Sequence, residues 1–280
     1  MSFDIVITWV DWSNKNFVNK LKEAGGRSEG CESGEFIELK YLLRSLEKHK
    51  VEYRKIHIVH SDNHPPPKYL KETERLSFVP HSAFVTDVSH LPLIHRESIV
   101  LHLHRIPQLH QHYFYLQDDL FIMNRKVFSK IIELYNNKQI YTYKSKLKSS
   151  YNVRKPSGLW YQSTVNSSRI INNIDKGNMI IFEHSIQFFD KVIMQHLEKK
   201  YNKQFLATFS YKDQKKEKEK EKDILCATSI FSNFLVYKMG YIELQVPKNF
   251  CTILHTNGYN KVTQSQKNYL LKKLNESRDT

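Results

Sequence analysis

Residues 113–121 read Tyr-Phe-Tyr-Leu-Gln-Asp-Asp-Leu-Phe, an aromatic, apolar run that stops on two carboxylates, Asp118 and Asp119, and then turns apolar again. A short apolar run without alternation has the pattern of a strand buried on both faces, which is the strand type of a parallel sheet in an α/β protein. Ligands of open α/β sheets bind beyond the carboxyl ends of such strands. Paired carboxylates at that place suit a hard divalent cation, Mg²⁺ or Mn²⁺, which takes oxygen ligands and can bridge to substrate phosphates. The competing reading is an Asp-Asp turn that only ends the strand.

The first half of the chain supports a sheet of this kind. Residues 4–10, with Ile5, Val6, Ile7, Trp9 and Val10, predict another doubly buried strand, and Asp11 stands at its exit. A Gly- and Ser-containing loop near 25–34 leads to Phe36, Leu39, Leu43 and Leu46, spaced for a helix that runs to residue 49. The run Ile56 to Val59 predicts a second strand, which must stop before the three prolines at 65–67. Residues 75–85 offer a short third strand, and Ile99, Leu103 and Ile106 share one face of a helix over 97–106. Strands alternating with helices predict a mainly parallel sheet with flanking helices.

In the second half, Ile186, Phe189, Ile193 and Leu197 predict a helix over 185–200, and Ile224, Ala227, Phe231 and Leu235 predict another over 223–238. Between them, Lys212 to Lys222 is a Lys and Glu tract. Its interleaved acids argue for a solvated or disordered insertion rather than a polyanion contact.

A length of 280 residues with 40% apolar content suffices for a full core. No apolar stretch approaches the roughly 18 residues of a spanning helix, and no basic region precedes the first apolar residues, so a cytoplasmic chain is expected. Cys31, Cys226 and Cys251 are too scattered for a disulfide framework or a structural zinc site and are read as reduced thiols. A net charge of +14 favours an anionic partner: nucleic acid, an acidic membrane face or a phosphorylated substrate.

Four blocks in order, residues 4–11, 38–47, 91–107 and the Asp118-Asp119 segment, resemble the Stealth-type hexose-1-phosphate transferases of bacterial capsule synthesis. These are relatives of the N-acetylglucosamine-1-phosphotransferase that tags lysosomal enzymes. The resemblance implies a GT-A/Rossmann-like nucleotide-sugar transferase core in residues 1–150. It also implies a helical, acceptor-side portion in 151–280 that completes the same catalytic domain and carries the insertion at 212–222. It implies a nucleotide diphosphate sugar as donor, a glycan or polysaccharide as acceptor, and a metal held by Asp118 and Asp119. A place at the inner face of the membrane, beside export machinery, is compatible with that role.

Trp9 and Asp11 would line the donor site, Asp11 by accepting hydrogen bonds from sugar hydroxyls; Trp9 as a plain core residue is the alternative. Arg44 matches a family arginine whose planar fork suits phosphate, although most helix arginines only reach for water. The family's His-x-His-Arg appears as His102-Leu103-His104-Arg105, with Arg105 suited to a phosphate and the histidines to proton transfer. On a helix His102 and His104 point apart, which argues against zinc. His184 matches one family histidine near the catalytic step, and Asn257 matches a residue of the last block. The chain departs from the family pattern at Val100, Gln117, Gln187 and Gly258, where the family carries glutamate, asparagine, histidine and aspartate.

The leading expectation is metal-dependent transfer of a sugar-1-phosphate, which releases a nucleoside monophosphate. A glycosyltransferase moving the sugar alone would release the diphosphate. A nucleic-acid-binding protein would fit the charge, but the chain has no recognised binding motif and no dense basic stripe, so no nucleic-acid partner is expected.

Overall fold

The computed structural model describes residues 1–23, 38–64, 66–142, 159–173, 186–210 and 223–245. The expected loop at 25–34, the Lys and Glu tract and the boundary at residue 150 lie outside them.

The described strands are β1 (Asp4–Thr8), β2 (Ile56–His60), β3 (Leu76–Pro80), β4 (His112–Gln117), β5 (Gln139–Thr142), β6 (Gln187–Asp190) and β7 (Ile242–Gln245). Five of them form one sheet in the order β3-β2-β1-β4-β6, and β5 pairs with β7 in a separate parallel ribbon. In the main sheet β1, β2, β3 and β4 are parallel, and β6 closes one edge antiparallel to β4. This is the α/β architecture read from the sequence, a mainly parallel sheet with flanking helices.

The described helices are α1 (Lys15–Glu23), α2 (Glu38–Lys48), α3 (Arg96–Val100), α4 (Lys126–Asn136), α5 (Leu159–Asn172), α6 (Lys191–Lys200), α7 (Asn202–Phe209) and α8 (Ala227–Met239). Alternation along the strands sorts them into two layers. Ile5, Ile7, Ile56, Ile58, Phe114 and Leu116 pack against Leu39, Leu42 and Leu46 of α2 and Val127, Phe128 and Ile132 of α4. Val6, Val59, Val79, Tyr113 and Tyr115 face the other way, onto Met194 and Leu197 of α6, Phe205 of α7 and Ile230 and Phe231 of α8. Both faces of β1 and β4 are thus covered, as their unbroken apolar runs require. Among the described residues no helix is long and apolar enough to cross a membrane.

Two expected helices differ. Residues 185–200 begin with strand β6, because Phe189 is fully buried and stacks on Tyr113 with ring centroids 5.5 Å apart, and its neighbours pair with His112–Tyr115. Asp190 then starts α6 by accepting hydrogen bonds from the Val192 and Ile193 N–H groups at 2.8 and 3.3 Å. Gln187 therefore lies in a strand, and the helical-turn relation expected between His184 and Gln187 does not exist. The helix expected over 97–106 ends at Val100 and resumes as a 3-10 turn, Leu103–Arg105. His102 sits at the break and bonds the Ser98 carbonyl at 2.9 Å.

Replacing Phe189 by Ala should lower the unfolding free energy by about 3–5 kcal/mol, as expected for an aromatic removed from a well-packed interior. Urea denaturation reads this directly.

Candidate active site

From β1 the chain moves outward to β2 and β3, then crosses back to place β4 on the opposite side of β1. The switch point therefore lies between β1 and β4, and its crevice opens beyond their carboxyl ends. Thr8 is in register with Gln117. Asp11 follows the first strand and Asp118 and Asp119 follow the second, so strands more than a hundred residues apart deliver three carboxylates to one edge.

Asp118 accepts hydrogen bonds from its own backbone N–H and that of Val10, which ties the exit of β4 to the exit of β1. Burial, the adjacent Asp119 and then Glu38 push its carboxyl up to about 8. The Oδ1 atom of Asp119 is buried without a hydrogen-bond partner. Asp11 accepts from the Ser13 N–H at 3.0 Å and the Ser13 hydroxyl at 2.5 Å. Trp9 is buried and meets His64 edge-on, with ring centroids 5.0 Å apart, so it is a wall rather than an open stacking face.

The site gains two residues absent from the sequence reading. Tyr69, on the loop after β2, is half-exposed, and burial followed by the fields of Asp118, Glu38 and Asp11 raises its phenol to about 12. It stays a neutral hydrogen-bond donor among carboxylates. Glu38 opens α2, whose start must lie at this edge because the helix carries the chain from the carboxyl end of β1 back toward the start of β2. That connectivity was the available signal for Glu38; for Tyr69, within a proline-rich loop, there was none.

Other expected residues lie elsewhere. Arg44 is exposed on α2, with its guanidinium 6.0 Å from the Tyr41 ring centroid. His102 is buried against Phe205 and Phe209, and burial holds its ring neutral, with a pKa of about 3. His104 bonds Glu198 at 2.8 Å and Arg105 is ion-paired to the same carboxylate. Burial opposes ionisation of Glu198, yet these two partners bring it down to about 2. The Arg105 fork, assigned to phosphate by resemblance, thus already holds a carboxylate that joins the 3-10 turn to α6. His184 and Asn257 lie outside the described residues, as does Gly258.

Residues 33–143 match the family model of Stealth protein CR2, conserved region 2, which includes both α2 and the Asp118-Asp119 exit. Residues 33–143 are thus similar to the second conserved region of that family. An exopolysaccharide phosphotransferase of Streptomyces coelicolor, SCO6023, is 32% identical over 124 residues, 42% of this chain and 21% of that protein. The exopolysaccharide phosphotransferase CpsY of Mycobacterium leprae is 26% identical over 214 residues, 73% of this chain and 39% of that protein. The chain therefore spans well under half the length of these relatives. The crystal structure of 4-diphosphocytidyl-2C-methyl-D-erythritol synthase from Anaerococcus prevotii covers 96% of this chain and 99% of that one, at 12% identity and a TM-score of 0.43, a likeness too loose to bear on function.

A carboxyl raised in the folded state binds protons that the unfolded chain has released, so stability contributed by Asp118 falls as pH rises from about 4 to about 8. Asp118→Asn should therefore raise the melting temperature at pH 8 and leave it nearly unchanged at pH 4, without added metal. Thermal melts at the two pH values test this.

Proposed function

We propose that this chain transfers a sugar-1-phosphate from a nucleotide diphosphate sugar to a glycan hydroxyl in the synthesis of an extracellular or capsular polysaccharide. The observation that carries this reading is the carboxylate pair at the switch point. One member is held up at about 8 by burial and its acidic neighbours, and the other buries an unpartnered oxygen. No cation is among the causes that shift Asp118, and Asp118 and Asp119 would hold a Mg²⁺ or Mn²⁺ that supplies positive charge beside substrate phosphates.

The residues fit that ion. Among the described residues no group of three or more histidine, cysteine or carboxylate side chains converges to hold a metal unaided. Mg²⁺ commonly binds through one or two carboxylates and completes its shell with waters and phosphate oxygens, which matches what Asp118 and Asp119 offer. When bound, the ion would neutralise charge on the transferring phosphate.

In this reading the acceptor hydroxyl oxygen bonds to the phosphorus attached to the sugar. The bond from that phosphorus to the oxygen bridging the two phosphates breaks, and a nucleoside monophosphate leaves. Asp118 and Asp119 would hold the ion that neutralises the phosphates, Asp11 and Tyr69 orient hydroxyl groups at the same edge, and His184 takes the acceptor proton. The names of the Streptomyces and Mycobacterium relatives support phosphotransfer in polysaccharide synthesis. The +14 charge suits an anionic donor and product.

Asp118→Asn and Asp119→Asn should each lower kcat by on the order of 10²–10³-fold while leaving the far-ultraviolet circular dichroism unchanged. With a panel of nucleotide sugars and Mg²⁺ or Mn²⁺, the released nucleotide should be the monophosphate. Release of the diphosphate would replace this reading with glycosyl transfer.

A further inference from the structure

Beyond the carboxyl ends of β2 and β3 lies an open cavity of about 430 Å³ lined by His60, Asp62, Asn63, His64, Pro66 and Pro80. It belongs to the same sheet edge as the carboxylate crevice, since β2 ends at His60 and β3 at Pro80. Trp9, two residues before Asp11, meets edge-on the His64 ring that lines the cavity. The crevice between β1 and β4 and the cavity between β2 and β3 are two strand spacings apart, about 10 Å.

The lining tells what the cavity can hold. Asp62 is occupied: it accepts hydrogen bonds from the Ser82 N–H at 3.1 Å and from the Ser82 hydroxyl. His60 directs Nδ1 at the Ser61 carbonyl at 2.9 Å, so in its neutral form Nδ1 carries the proton and Nε2 is an acceptor. Asn63 adds an amide with both donor and acceptor, and its Oδ1 receives Lys20 Nζ at 3.4 Å on the rim. Pro66 and Pro80 contribute flat apolar faces. Next to Pro80 in the chain, buried His81 has an Nδ1 without a hydrogen-bond partner among the described residues. Besides Asp62, which is engaged by Ser82, the lining offers amide and imidazole hydrogen-bonding groups beside flat surfaces, and Lys20 stands at the rim. A phosphate would find little inside, and the described side chains do not converge as metal ligands.

We infer that this cavity seats the nucleobase of the donor, with its diphosphate leading past Trp9 to Asp118 and Asp119. The inference rests on the donor being a nucleotide sugar. A planar heterocycle with alternating donors and acceptors matches Asn63 and His60 in hydrogen-bonding type, stacks on proline and imidazole faces, and leaves Lys20 near the first phosphate. Base choice, and so donor choice, would be set here rather than in the crevice.

The test is calorimetry on the full chain with Mg²⁺, titrating UDP, CDP, GDP, ADP and inorganic pyrophosphate. One nucleoside diphosphate should bind at least about tenfold more tightly than pyrophosphate, the worth of one or two hydrogen bonds to the base. Asn63→Leu, which removes the amide, and Pro66→Trp, which fills the cavity, should bring that nucleotide down to the pyrophosphate level and leave pyrophosphate unchanged. If both folded variants bind the preferred nucleotide as tightly as wild type, the base sits elsewhere and the inference fails while the donor reading stands. If Pro66→Trp does not fold, Asn63→Leu alone decides. If no nucleotide outbinds pyrophosphate on the wild-type protein, the donor reading fails and the inference falls with it.

Discussion

β1 and β4 are strands covered on both faces and paired along both edges, so their carboxylates stand at the strand ends. Their two ends are treated in opposite ways. At the amino end Asp4 is fully buried and saturated: Arg54 bonds it at 2.9 and 2.5 Å, His57 at 3.0 Å and the His110 N–H at 2.8 Å. Burial works against its ionisation, but these partners lower its pKa below the ordinary value. At the carboxyl end Asp118 accepts from backbone donors beside the acidic Asp119 and Glu38. The amino-end carboxylate is satisfied within the chain, whereas at the carboxyl end Asp119 Oδ1 is buried without a hydrogen-bond partner among the described residues.

The second half of the chain is fastened to this core by polar joints as well as by packing. Glu97 accepts the Ala227 N–H at 3.0 Å at the start of α8 and is ion-paired with Arg96. Ser98 donates to the Thr208 carbonyl at 2.6 Å, and Glu198 gathers His104 and Arg105. Removing one member of such a buried set leaves the others unpaired, which makes these joints structurally costly to change. The histidine and arginine segment before β4 thus fastens the 3-10 turn to α6.

Much of the core was legible because its signals are local. The apolar runs at 4–10, 56–59 and 113–117 read as buried strands and hold β1, β2 and β4, and α2 and α8 show their helical spacing plainly. The region 185–200 misled because Phe189 satisfies helical spacing while Asp190, an N-cap, marks where the helix begins. Arg105 resembled a phosphate ligand in isolation, and its partner Glu198 is 93 residues away. Tyr69 enters the site through the fold of a proline-rich loop, which no periodicity encodes. Convergence across the sheet is legible only for groups fixed to strand ends, such as Asp11, Asp118 and Asp119.

In the proposed reading the carboxyl ends of β1 and β4 form a site for a divalent cation, held by Asp118 and Asp119. The most direct measurement is anomalous X-ray scattering from crystals of the full chain soaked in Mn²⁺ with a nucleoside diphosphate. A peak within coordinating distance of both Asp118 and Asp119, lost in Asp119→Asn crystals, is the predicted result. A manganese peak away from this pair, or none at saturating Mn²⁺ with nucleotide visible, would contradict it.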